Sequence, residues 1–133
     1  MSAPTVIAAE AGCPFCKKVL DGSAEQLGVS GVYHFEPLNP VTPGHRLFIP
    51  AYHFEDVVDA YAVTATVFEW VGWWAAKRSE DFNLITSKGA EATQTIRHLH
   101  VHYIPRRSGD GLALPWTGQQ RAVSSGNSGE GGE

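Results

Sequence analysis

The sequence predicts an α+β fold, short antiparallel strands packed around one long helix, and three observations carry that prediction. A single stretch, from Glu55 to about Arg78, repeats apolar residues at spacings of three and four. Several short apolar runs are bounded on both sides by proline and glycine. One run, Arg97-His98-Leu99-His100-Val101-His102-Tyr103, alternates strictly between imidazole and apolar side chains, which is the period of a strand with two different faces.

Met1 to Ala11 carry no clear periodicity and form an N-terminal segment, residues 1–11. Val32-Tyr33-His34-Phe35 and Arg46-Leu47-Phe48-Ile49 read as strands, separated by Pro37, Pro40 and Thr42-Pro43-Gly44 as a turn. In the helix, Val57, Tyr61, Ala65, Phe68, Val71 and Ala75 share a face; Glu55, Asp56 and Asp59 open it and Lys77 and Arg78 close it, as the helix dipole favours. Trp70, Trp73 and Trp74 widen its apolar surface, either as a core cluster or as a subunit interface. Phe82 to Thr86 reads as a further strand, and Ser87 to Gln94 as a polar loop feeding the histidine strand. After Pro105-Arg106-Arg107, Gly109-Asp110-Gly111 and Pro115 predict an extended arm anchored by Leu114 and Trp116. The domain is read as residues 12–121, and 122–133, rich in glycine, serine and glutamate, as a disordered tail.

With 133 residues, 43% of them hydrophobic, the chain suits one domain. Its net charge of -4 offers no positive field to a polyanionic backbone, so long nucleic acid is not an expected partner. No apolar run reaches the length of a membrane span and no targeting segment is evident, so a cytoplasmic protein is expected. In a reducing compartment the two cysteines, in Cys13-Pro14-Phe15-Cys16, suggest a metal or redox pair.

Half of the chain's 6 histidines stand in the alternating run. On one strand face they would be spaced roughly 6.5 Å apart. At that spacing one imidazole can attack a phosphorus atom while its neighbours bind the surrounding oxygens or hold a metal. A neutral imidazole is a competent nucleophile near pH 7 if its far nitrogen keeps a proton and donates it to a fixed acceptor, either a backbone carbonyl or His98.

The stretch Gly89-x-x-Ala92-x-Gln94-Thr95-Ile96-x-His98-Leu99-His100-Val101-His102-x-Ile104-Pro105-Arg106 resembles the signature of the histidine triad (HIT) superfamily. Cys13-Pro14-Phe15-Cys16-Lys17 and Asn39-Pro40-x-x-Pro43-Gly44-His45-x-x-x-Ile49-Pro50-x-x-His53 resemble upstream family segments, in the family's order. The resemblance implies a homodimeric HIT-like antiparallel sheet with one long helix. It also implies a nucleotide hydrolase or nucleotidyl transferase acting at the α-phosphate of a purine nucleotide derivative, of the phosphoramidate or dinucleoside polyphosphate class. His100 would be the nucleophile, with His98, His102 and Gln94 completing the catalytic set. By family position the nucleotide would lie against Phe15, Leu38, Asn39, His45, Ser87, Gly89, Gln94 and Thr95. Two departures stand out: Ser87 where family members commonly have asparagine, and Thr93 where they commonly have glycine. The segment from Lys18 to Phe35 is also shorter than usual.

Relatives bind zinc through residues matching Cys13, Cys16, His53 and His98, and two thiolates with two imidazoles form a closed tetrahedral set that suits structural Zn2+. Two alternatives stand beside covalent catalysis. One is a metallohydrolase in which triad histidines hold zinc and activate water; the other is a nucleotide-binding protein with little catalysis.

Overall fold

The computed structural model describes residues 9–117; the tail 122–133 and most of the N-terminal segment lie outside the described residues. The elements run α1 (Pro14–Leu20), β1 (Glu25–Gln26), β2 (Val32–Phe35), β3 (Arg46–Pro50), α2 (Tyr61–Ala75), β4 (Asp81–Ile85), a 3-10 turn (Ala90–Ala92) and β5 (Val101–Arg106). The strands form one antiparallel sheet in the order β1-β2-β3-β5-β4. This is the α+β architecture expected, with the strands at Val32, Arg46 and Phe82 placed within a residue or two.

Alternation divides the sheet's side chains between two cores. On one face Val32, Phe48, Val101 and Tyr103 pack with Leu27 and Leu99 against Val67, Val71 and Ala75 of α2. On the other face Phe35, Leu47 and Ile49 pack with Ala24 and with Phe15 of α1. The catalytic candidates stand on this second face, so α2 supports the sheet from behind and α1 borders the site. Trp70 and Trp74 pack against the α2 core, whereas Trp73 is 47% exposed with Lys77 over its ring.

Three expectations need correction. The helix begins at Tyr61, not Glu55, because the short acidic side chains satisfy local turns instead of opening a helix. Asp56 Oδ1 accepts from the Val58 and Asp59 amides at 2.9 and 3.0 Å, and Asp59 Oδ2 accepts from the Glu55 amide. It ends at Ala75; Arg78, just beyond, still donates to the Trp74 carbonyl at 2.9 Å. Second, α1 has no counterpart in the sequence reading: Pro14 sits in its first turn and Cys13 Sγ accepts from the Cys16 amide at 3.3 Å. At 7 residues it is too short to display a period. Third, only His102 of the triad lies on a strand. β5 starts at Val101, because the preceding residues leave the ladder: the Leu99 amide donates to the Phe54 carbonyl at 2.7 Å, and the His98 ring reaches the Pro50 carbonyl. The apolar alternates Leu99, Val101 and Tyr103 do face the core.

One buried histidine stands apart from the site. His34 stacks on Phe48 with 10° between the rings, accepts at Nδ1 from Arg46 Nε at 2.8 Å, and faces Glu25 with Nε2. Burial, aided by the Arg46 charge, holds its pKa at about 4. The unfolded chain, with an ordinary imidazole near 6.5, takes up a proton as pH falls below that value, and the folded protein does not until about 4. Stability therefore falls with pH across this window, by roughly 3 kcal/mol at its lower end. We expect His34→Gln to flatten the thermal-melting curve between pH 6.5 and 4 relative to the parent; curves that stay parallel would show that His34 does not carry the effect.

Candidate active site and metal centre

His100 and His102 line a cavity of about 310 Å³ together with His45, Ser87 and Thr93, strand residues Asn83, Ile85, Ile104 and Arg106, and the arm residues Leu112, Ala113 and Leu114. A larger groove of about 620 Å³ between α1, the ends of β2 and β3, and α2 has, among the described residues, no histidine, cysteine or charged side chain in its lining. The chemistry therefore belongs to the smaller cavity.

Hydrogen bonding fixes the tautomers of the imidazoles. His100 Nδ1 lies 2.7 Å from the His98 carbonyl; a carbonyl only accepts, so Nδ1 carries the proton and Nε2 keeps its lone pair. Of the two acceptors the sequence left open, this is the backbone carbonyl. A second chain runs through His45. Its Nδ1 accepts from the Val41 amide at 3.1 Å, which places the proton of the neutral ring on Nε2. Nε2 stands 2.9 Å from His102 Nδ1 and donates to it, so neutral His102 carries its own proton on Nε2, free to donate to a ligand. Burial lowers the pKa of His100 and His45. Burial first, and then the neighbouring His100 and His45, put His102 at about 4. Near pH 7 the site thus holds one imidazole with a bare nucleophilic nitrogen beside another with a bare N–H.

Behind the triad, Cys13, Cys16, His53 and His98 bring four donor atoms within 4.8 Å of one another. His53 Nδ1 is 3.3 Å from Cys16 Sγ, and His98 Nδ1 is 3.4 Å from Cys13 Sγ and 3.5 Å from Cys16 Sγ. A tetrahedral zinc with ordinary Zn–S and Zn–N bonds separates its ligand atoms by roughly 3.3–3.8 Å, so the donor set fits that ion. The outer shell fits as well: His98 Nε2 donates to the Pro50 carbonyl at 3.1 Å, and His53 Nε2 meets Glu10 Oε1 at 2.7 Å, so both rings turn their Nδ1 lone pairs inward. His98 joins the two sites, since its ring belongs to the donor set while its carbonyl holds His100.

The HIT domain family model matches residues 29–109. The chain belongs to the HIT domain family. It is 30% identical over 126 residues to adenosine 5'-monophosphoramidase HNT1 of Saccharomyces cerevisiae, covering 90% of this chain and 78% of that protein. It is 32% identical over 113 residues to Protein hit of Bacillus subtilis, covering 78% of each. Among solved structures, SMU.412c of Streptococcus mutans UA159 is similar with a TM-score of 0.71 at 25% identity, covering 91% of this chain and 78% of that one.

Within this HIT domain the residues expected at the site fall into four groups. His45, Ser87, His100 and His102 share the cavity, and Phe15 meets the His100 ring edge-on at 5.1 Å. Thr95 lines a different cleft, with Cys13, His53 and Arg97 on the metal side. Leu38 and Asn39 are exposed on the turn after β2, Leu38 at 93%, and are not among the lining residues. Gln94 is buried and occupied: Oε1 accepts from the Gly89 amide, and Nε2 donates to the Glu55 and Ile96 carbonyls. It ties the loop shut and simultaneously engages the Gly89 amide. The departure at Thr93 has a backbone cost, since it holds a left-handed φ of 67° at the cavity edge.

Sequence reading missed Asn83, Ile85, Ile104 and Arg106 on the cavity wall and Glu10 behind His53. Part of that signal was available. Ile104 and Arg106 follow His102 at strand spacing, and the β4–β5 register sets Ile85 opposite His102 and Asn83 opposite Ile104. Glu10 gives no such signal, because only the fold brings it to His53.

Proposed function

We propose that the protein is a nucleotide hydrolase or nucleotidyl transferase that acts at the α-phosphate of a purine nucleotide derivative through a covalent bond to His100. The observation that carries this reading is the 2.7 Å contact that pins the proton of His100 on Nδ1 in a ring lining the cavity. The name of the yeast relative, a monophosphoramidase, agrees with it.

In the first step His100 Nε2 forms a bond to phosphorus while the bond to the leaving group breaks. The leaving atom takes the electron pair and a proton from water. His102 Nε2–H is suited to a non-bridging oxygen, where negative charge concentrates. Water or another acceptor then attacks phosphorus, the N–P bond returns its pair to Nε2, and the acceptor's proton goes to solvent. We assign Cys13, Cys16, His53 and His98 to a structural Zn2+. Bound there, the metal would supply rigidity, pinning the start of α1 to the triad. The homodimer and the cytoplasmic location belong to the same reading, and no helix among the described residues is long and apolar enough to cross a membrane.

The metallohydrolase alternative, in which triad histidines hold zinc, finds less support, because among the described residues the donor atoms that gather closely enough are those of Cys13, Cys16, His53 and His98, and four protein ligands leave no open position for water. Chelation separates the two. Metal-stripped protein, assayed with adenosine phosphoramidate well below its melting temperature, is expected to retain a measurable part of its turnover. Complete loss in a chain still folded by circular dichroism would favour zinc-activated water.

A further inference from the structure

Among the described residues Arg106 is the one lysine or arginine side chain on the cavity wall, and its charge is already answered. Its Nε donates to Asp110 Oδ2 at 2.9 Å and Nη2 to Asp110 Oδ1 at 3.2 Å, a two-pronged pairing; Nη2 also reaches the Leu112 carbonyl and Nη1 the Asn83 side-chain oxygen. Asp110 is held in turn by the amides of Arg107 and Leu112, and both side chains are largely covered, 23% and 10% exposed. This clasp does two things. It ties the arm from Leu112 to Leu114 across the cavity, and it cancels the positive charge on that wall.

What remains is apolar (Val41, Ile85, Ile104, Leu112) or uncharged and polar (Asn83, Ser87, Thr93), beside the imidazoles of His45, His100 and His102. An anionic leaving group entering this space would lose hydration and meet no net positive charge, whereas an uncharged one loses little. We propose that the Arg106–Asp110 clasp is a selectivity device: it makes the cavity a leaving-group subsite that accepts uncharged groups, such as the amine of a phosphoramidate, and disfavours anionic polyphosphate. This rests on the hydrolase reading above.

The test compares kcat/KM of the full chain for adenosine phosphoramidate and diadenosine triphosphate, which present the same adenylyl group with different leaving groups. Asp110→Asn leaves the guanidinium uncompensated and is expected to move the ratio toward the triphosphate by about tenfold, the effect of one partly screened charge, with added salt eroding the shift. Arg106→Gln loosens the same arm but leaves the Asp110 carboxylate, not a cation, uncompensated, so the ratio should not move toward the triphosphate. Leu112→Lys adds a cation to the wall with the clasp's side chains intact, so it should reproduce the shift even if the Asp110 variant folds poorly. An unchanged ratio in the folded charge variants, or an equal, salt-insensitive shift in Arg106→Gln, would overturn the proposal while sparing the hydrolase reading. Absence of turnover of both substrates by the parent would overturn both.

Discussion

Replacing His100 with alanine or asparagine is expected to lower turnover of adenosine phosphoramidate by at least about 10⁴-fold, the scale of losing a nucleophile that acts as one unit with its neighbours. The ring is buried but makes few bonds that the fold depends on: Nδ1–H to its neighbour's carbonyl, and edge contacts with Phe15 and His102. The variant should therefore fold, and its melting temperature should stay close to the parent's. Asparagine is the sharper probe, since it offers an amide N–H to the His98 carbonyl and has no nucleophilic nitrogen. Steady-state assays with both variants check this; turnover near the parent's would remove His100 from the chemistry.

Loss of the metal centre is the second large effect. Cys13→Ser and His98→Ala are each expected to release bound zinc and lower the melting temperature on the order of 10 °C, because a structural site contributes folding free energy directly. The geometry gives this effect a reach beyond α1. With the metal gone, the His98 ring loses the ion that ties it to both cysteines and His53, and the carbonyl that sets the His100 tautomer sits on the same residue. Turnover should fall as well, by less than in the His100 variants. Metal content and melting measured on the same preparations test the assignment, and if both are unchanged these four residues do not form the site.

What the sequence revealed and what it concealed divide along the range of the interactions. The strands at Val32 and Arg46 were legible because each alternates or runs apolar between proline and glycine, a local signal. The Cys13, Cys16, His53 and His98 set was legible only through resemblance, since its members are up to 85 positions apart in the chain. The onset of α2 was misplaced because Asp56 and Asp59 suit both a helix start and a turn, and packing chose the turn. His98 and His100 lie ahead of the strand because the His98 ring bonds to the last residue of β3 and the Leu99 amide to Phe54 in the segment after it, contacts that no periodicity encodes. Arg106 was visible as part of a motif, but its pairing with Asp110 depends on the arm folding back at Gly109 with a φ of 73°. Trp116, read as an anchor, is 56% exposed, and the clasp anchors the arm in its place.

The central claim is a bond between one ring nitrogen and phosphorus, and mass spectrometry of protein quenched in mid-turnover tests it most directly. With adenosine phosphoramidate and a non-acidic denaturing quench, the intact chain should gain one adenylyl group, fragmentation should place it on His100, and the adduct should vanish in His100→Asn. Rapid turnover with the label on another residue, or with no adduct at the earliest quench times and undiminished rate in that variant, would contradict the account.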